Sequence, residues 1–224
     1  MSVSAIIPVK KLDDAKSRLS SLLSKNERRE FCLEMLEDVL VAVKTTKCIR
    51  WTVVVSVDPT VLQAAKSFDV VTLMESQPSL NQAVSEAINW CVQNGAKSAL
   101  ILPADIPLIT PRDLNRIFSL GKEAAMVISP SRSEDGTNAL LLTPPNILPT
   151  SYGKHSFQRY IKEASRQAIS FHTIKLPGIA LDIDTVEDLT DFVKLNTKET
   201  NTHKFLREIE ISQRLSKQWK SFGG

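Results

Sequence analysis

The chain has 224 residues, 42% hydrophobic and 24% charged, the balance of an ordinary globular protein with room for one full sheet. No apolar run approaches the roughly 18 residues of a membrane span. A formal charge of +3 suits an anionic small substrate but is too weak to argue for nucleic acid, and no aromatic-basic interleaving supports it. Cys32, Cys48 and Cys91 are scattered and odd in number, so reduced thiols are expected rather than disulfides or a metal site. The opening MSVSAIIPVKK lacks the basic region and long apolar run of a signal peptide, so a cytoplasmic location is expected.

Strand-like and helix-like runs then alternate. VSAIIPV is apolar and β-rich, and KNERREFCLEMLEDVLVAVKTT sets Phe31, Met35, Leu36, Val39, Leu40 and Val43 on one helical face. WTVVVSV predicts a strand, DPTVLQAAKSF a short helix and DVVTLM a strand; LNQAVSEAINWCVQNG predicts a helix stopped by Gly95. SALIL is the next strand. In TPRDLNRIFSLG, Thr110 suits an N-cap, Pro111 the first helical position and Asp113 the first turn. AAMVIS and NALLLT predict strands, SFQRYIKEASRQ a helix, ISFHTIKL and IALDID strands, and TVEDLTDFVKLN a helix opened by Thr185. The expectation is an α/β fold, a three-layer Rossmann-like arrangement with a mostly parallel sheet and helices on both faces. Residues 1–196 form the main domain. Residues 197–224 are expected to add one long amphipathic helix, with Phe205, Ile209, Leu215 and Trp219 as its stripe, packing on that domain or on a neighbouring subunit.

In such sheets ligands collect beyond the carboxyl ends of the strands. Asp105 stands there, after SALIL and between Pro103 and Pro107. A buried carboxylate without a partner is costly, so a partner is implied. Asp182 and Asp184, two apart on a strand-like run, point to one face, and like charges so close call for something positive between them. Oxygen ligands suit Mg²⁺; the competing reading of the pair is a strand end leading into a capped helix. In PVKKLDDAKSRLS, after the first strand, Lys10, Lys16 and Arg18 crowd a loop where a phosphate-binding turn is expected. No glycine-rich loop is present, so phosphate recognition there leans on side chains; the alternative is a solvated helix face.

Three further stretches carry polar groups. Gly136, Thr137 and Asn138 precede a strand, where a plain D-G turn is the alternative. Gly153 and Ser156 sit at a predicted helix start that favours an anion, or that Ser156 merely caps; His155 reads as a loop polar residue. Asn81 is near a helix start and could read a base edge, while Ser79 reads as the cap of that helix.

Taken in order, IIPVKKLDDAKSRLS, LPADIPLI, DGTNALLL, YGKHSFQRYIKEA and LDIDTVEDL resemble the 2-phospho-L-lactate guanylyltransferases of archaea, enzymes of deazaflavin coenzyme F-420 biosynthesis whose bacterial relatives use phosphoenolpyruvate. The resemblance runs from near the start to about Leu189. It implies a nucleotidyltransferase fold and an enzyme that joins GTP to 2-phospho-L-lactate, giving lactyl-2-diphospho-5'-guanosine and pyrophosphate. Phosphoenolpyruvate or another phosphorylated acid is the alternative acceptor, and a non-catalytic nucleotide-binding module the alternative class. It also implies Asp105, Asp182 and Asp184 as ligands of two Mg²⁺, with Mn²⁺ as a substitute. Thr137, Gly153 and Ser156, joined by Lys10 and Asn138, would hold the phosphorylated acid. Lys16 and Arg18 would contact phosphate and assist Asp105 in catalysis, with Pro8 and Asn81 beside the nucleotide. A homodimer is expected.

Overall fold

The computed structural model describes residues 2–76, 79–195 and 199–222. Its centre is β1 (Val3–Val9), an apolar run buried almost throughout, as an inner parallel strand requires. β2 (Ile49–Ser56) and β4 (Ser98–Ile101) flank it in parallel. With β3 (Val71–Met74), β5 (Met126–Pro130), β6 (Thr137–Leu142) and β7 (Phe171–Thr173) they form a seven-stranded sheet in the order β3-β2-β1-β4-β6-β5-β7.

Among the described strands only β6 runs against its neighbours. Residues 131–136 are too few for a crossover, so the chain turns straight back. Ser131 closes the turn: its N–H donates to the Gly136 carbonyl at 3.0 Å and its Oγ accepts from the Gly136 N–H at 3.0 Å. The D-G signal is therefore a hairpin turn. Because β6 is reversed, its first residues, Thr137 and Asn138, lie beside the carboxyl end of β4.

The helices divide between the faces by the alternation of strand side chains. Ala5, Ile7 and Leu100 meet α1 (Lys25–Lys44), α2 (Pro59–Lys66), α4 (Pro111–Leu120) and α7 (Val186–Lys194) in one core. Ile6, Ala99 and Ile101 meet α3 (Leu80–Gln93) and α5 (Ser156–Arg166) in the other. The start signals work as expected: Thr110 with Asp113 and Thr185 with Asp188 form capping boxes, and Ser79 caps α3.

Three expectations are corrected. IALDID is not a strand: Pro177–Ala180 form a helical turn, α6, and residues 181–184 join no ladder. Their alternation survives, with Leu181 and Ile183 buried in the core and Asp182 and Asp184 on the cleft wall. Ser156 does not cap α5; His155 holds that position in a left-handed conformation, φ 58°, and Ser156 is the first helical residue. The tail is two helices, α8 (Asn201–Glu208) and α9 (Ile211–Phe222), broken where Glu210 takes φ 54°. Phe205 stacks on Phe31 of α1, while Leu206, Ile211 and Leu215 are the buried apolar residues among those described; the Trp219 side chain lies outside the described ones. Asp38 of α1 takes the first N–H groups of α8, from Asn201 at 2.8 Å and Thr202 at 2.9 Å, so this part of the tail docks on the same chain.

Candidate active site

A cleft of about 590 Å³ opens beyond the carboxyl ends of β1, β2 and β4, where a doubly wound sheet offers room for a ligand. The segment after β1 winds through two short 3₁₀ turns, Leu12–Asp14 and Ser17–Leu19. Lys16 lies between them with φ 52°, a left-handed conformation that a non-glycine residue adopts only when its surroundings insist. Those surroundings are specific. The Leu12 N–H donates to Asp58 Oδ2 at 3.0 Å, and Arg28 Nε donates to the Ala15 carbonyl at 3.3 Å. Arg28 Nη1 also reaches the Leu23 carbonyl at 2.9 Å, so one guanidinium pins both ends of the loop.

Held there, Lys16 drives its side chain, 7% exposed, into the cleft. Nζ donates to Asp105 Oδ2 at 2.7 Å and to Asp184 Oδ1 at 2.6 Å. The acid-bearing segments also meet through the backbone, the Ile183 N–H donating to the Asp105 carbonyl at 3.1 Å. Asp105, Asp182 and Asp184 therefore share one rim of the sheet, and the positive charge between Asp105 and Asp184 is Lys16.

Charge states follow from this arrangement. Burial alone would push the Lys16 ammonium down; the Asp105 and Asp184 carboxylates outweigh it and hold the group above the ordinary lysine range. Burial opposes ionisation of Asp184 too, but Lys16, Lys10 and Arg18 together keep its carboxyl below the usual range. Asp182 forms no ion pair among the described residues: burial and the nearby Asp105 charge push its carboxyl up, against a hydrogen bond from Asn138. Cys32 also lines the cleft, but burial pushes its thiol up to about 11, which leaves it protonated and a poor nucleophile.

The other residues singled out in the sequence fall into three groups. Pro8, Lys10, Arg18, Thr137 and Asn138 line the cleft. Lys10 and Arg18 are exposed and make no hydrogen bond or ion pair among the described residues, so their charge is available to a ligand. Gly153 and Ser156 stand behind the wall instead: the Ser156 Oγ lies 3.0 Å from Thr137 Oγ1, and Gly153, at φ 114°, takes a conformation open to glycine. Asn81 is not among the residues that line the cleft. Its amide donates to the Tyr152 carbonyl at 3.2 Å and accepts from the Tyr152 N–H at 2.7 Å, a two-point bond that uses both ends of the side chain.

Asn138 does more than line the wall. Its Nδ2 donates to Asp182 Oδ1 at 3.0 Å and to the carbonyls of Ile179 at 2.9 Å and Ala180 at 3.3 Å, tying β6 to the acidic segment. Arg28, Asp58 and Glu75 escaped the sequence reading. Asp58 before Pro59 carries a cap signal, but its second bond, to Leu12, spans 46 residues and has no local trace. Glu75 follows β3 as Asp105 follows β4, so the same acid-at-strand-end signal marks it.

With hard carboxylates and free cations gathered at one strand-end rim, the comparisons with known proteins become decisive. The model of guanylyl transferases of the CofC-like type matches residues 3–221. The chain belongs to this guanylyl transferase family. It is 40% identical over 190 residues to a phosphoenolpyruvate guanylyltransferase of Rubrobacter xylanophilus, covering 84% of this chain and 92% of that one. It is 33% identical over 208 residues to a 2-phospho-L-lactate guanylyltransferase of Methanobrevibacter smithii, covering 92% and 90%. Among solved structures, a candidate nucleotide-diphospho-sugar transferase from Desulfovibrio desulfuricans superposes with a TM-score of 0.79 at 16% identity, over 96% of this chain and 99% of that one, which shows a shared fold. The chain is thus an enzyme of the nucleotidyltransferase class, and among the described residues no helix is long and apolar enough to cross a membrane.

Proposed function

We propose that this guanylyl transferase joins GTP to 2-phospho-L-lactate, forming lactyl-2-diphospho-5'-guanosine and releasing pyrophosphate. A phosphate oxygen of the acceptor attacks the α-phosphorus of GTP. The new P–O bond forms as the bond from the α-phosphorus to the β-phosphate breaks, and pyrophosphate carries away the electron pair. Two anions must meet, so the barrier is largely electrostatic. The observation that carries the reading is the convergence of Lys16, Asp105 and Asp184 beside the unpaired Lys10 and Arg18.

Each residue then has work that its position allows. Lys10 and Arg18 neutralise the triphosphate and the departing pyrophosphate. Lys16 exchanges its carboxylate partners for the α-phosphate. Thr137, its hydroxyl oriented by Ser156, donates to the acceptor acid. Asn138 keeps Asp182 in place rather than touching substrate.

Magnesium, with manganese as a substitute, completes the proposal. Among the described residues no group of three or more His, Cys, Asp or Glu side chains is arranged to hold a metal ion. The donor chemistry nevertheless fits a hard divalent cation: Asp105 Oδ1 is buried without a hydrogen-bond partner, and the neighbouring donors are carboxylate oxygens. Asp105, Asp182 and Asp184 would hold it once Lys16 withdraws. Such an ion supplies charge neutralisation of the reacting phosphates. We also propose a homodimer, a cytoplasmic location, a place in coenzyme F-420 biosynthesis, and division into a catalytic unit, 1–196, and an extension, 197–224.

A second acceptor, phosphoenolpyruvate, is favoured by the 40% identity to the Rubrobacter xylanophilus enzyme. The test is pyrophosphate release from GTP and Mg²⁺ with the two acids offered separately and in competition. The higher kcat/KM names the acceptor; no release with either acid overturns the proposal.

A further inference from the structure

The cleft has two chemically different ends. The acids and cations lie beyond β1 and β4, whereas the far end, beyond β2 and β3, is walled by Val55, Val57, Leu80 and Ala83. A nucleobase suits such walls: its faces are apolar and its edge is polar, so the faces are content and the edge needs a partner. Asn81 cannot be that partner, because its amide is committed to Tyr152. Glu75 lines this end.

Glu75 is well placed for the task. Its N–H donates to the Ser56 carbonyl at 3.0 Å, which continues the β3 ladder by one residue and fixes its backbone. Its Oε1 accepts the Ser79 N–H at 2.6 Å, which orients the carboxylate, and Oε2 has no hydrogen-bond partner among the described residues. An ionised carboxylate only accepts hydrogen bonds, and each oxygen takes more than one. Guanine presents two adjacent donors, N1–H and the C2 amine, on one edge. Adenine and cytosine set an acceptor beside a donor there and would meet the carboxylate lone pair to lone pair.

Distance makes a carboxylate tolerable in a site for a polyanion. In the order β3-β2-β1-β4, Glu75 follows the first strand and Asp105 the last. Three strand spacings separate them, roughly 14 Å. A nucleotide covers that separation from its base edge to its α-phosphate once a contact of hydrogen-bond length is added at each end, so the negative charge of Glu75 falls at the base and not at the triphosphate.

We infer that Glu75 reads the guanine edge and sets the nucleotide specificity of this enzyme. The inference rests on the guanylyl transfer proposed above. The experiment compares GTP, inosine triphosphate, which lacks the C2 amine, and xanthosine triphosphate, which carries a carbonyl there, with wild-type protein and Glu75→Gln. Wild type should favour GTP over both analogues in kcat/KM. In Glu75→Gln, GTP should lose about tenfold to a hundredfold, and xanthosine triphosphate should gain on it, because the new amide donates to the C2 carbonyl while its oxygen still accepts N1–H. Inorganic pyrophosphate, followed by calorimetry, should bind both proteins alike, which reports an intact phosphate end. Turnover with GTP and an unchanged GTP-to-xanthosine-triphosphate ratio in Glu75→Gln overturns the role of Glu75 alone. Equal kcat/KM for GTP and inosine triphosphate in wild type does the same without any variant, and no turnover with any nucleotide overturns both readings.

Discussion

Lys16 Nζ lies 2.6 Å from Asp184 Oδ1, a contact made across 168 residues of chain. The same ammonium holds Asp105 at 2.7 Å, so one buried cation bridges the two carboxylates proposed above as ligands of a divalent ion. Lys16→Met removes that cation. We expect kcat to fall roughly 100- to 1000-fold, as when a transition-state donor is lost. In the absence of metal the variant should be less stable by about 1–3 kcal/mol, because two carboxylates are left without their partner. Its affinity for Mn²⁺, read by electron paramagnetic resonance, should rise. Weaker Mn²⁺ binding than wild type would show that Lys16 assembles the acids rather than standing in for the ion.

Asp105→Asn separates charge from shape. The amide oxygen still accepts from Lys16, and the backbone carbonyl that takes the Ile183 N–H is untouched. The expected result is a fold indistinguishable by circular dichroism, a kcat lowered at least about 100-fold, and weakened Mn²⁺ binding. Chelation of wild type with EDTA should abolish turnover, and added Mg²⁺ or Mn²⁺ should restore it. Activity that survives chelation would refute the magnesium proposal.

Asn138 offers a test of positioning against contact. Asn138→Ala strands the Ile179 carbonyl and releases Asp182, while the Ala180 carbonyl keeps the Arg132 N–H at 2.8 Å. Stability should drop by about 1–3 kcal/mol, the cost of unpaired buried groups. Because Asn138 acts through Asp182, kcat should fall while KM for the acceptor acid stays near its wild-type value. A raised KM with unchanged kcat would instead make Asn138 a substrate contact.

Acid should loosen the junction between the tail and α1. Glu27 closes the capping box of α1 and accepts from Arg214 of α9 at 2.7 Å; Arg214 also donates to the Leu22 carbonyl at 2.9 Å. The Arg214 hydrogen bond comes first among the influences that lower the Glu27 carboxyl, to about 2. A carboxyl lowered on folding contributes stability above its unfolded value, and that contribution is lost as the pH falls through the folded value. Between about pH 4.5 and pH 2 the urea midpoint of wild type should therefore decline more steeply than that of Glu27→Gln. Arg214→Ala should move the Glu27 titration upward by NMR; an unmoved titration would show that the ion pair does not form in solution.

The alternation of apolar runs foretold the sheet and its two helical layers because period and length are local properties of the chain. The caps at Thr110 and Thr185 were equally legible, since a capping box is complete within four residues. The alternation in LDID announced that Asp182 and Asp184 share a face, although no ladder forms there and no strand results. The break between α8 and α9 was hidden, because the apolar stripe runs on past Glu210 while the backbone does not.

The sequence by itself determined all but a few of the elements, the acids at the strand ends and the basic loop after β1, for each is written in neighbouring residues. Only the tertiary structure decided which charge met which: that Lys16 bridges Asp105 and Asp184, that Asn81 is spent on Tyr152, and that Asn138 serves Asp182. Partners chosen across tens to hundreds of residues depend on strand order and on the reversal of β6, and no local pattern encodes a distance through space.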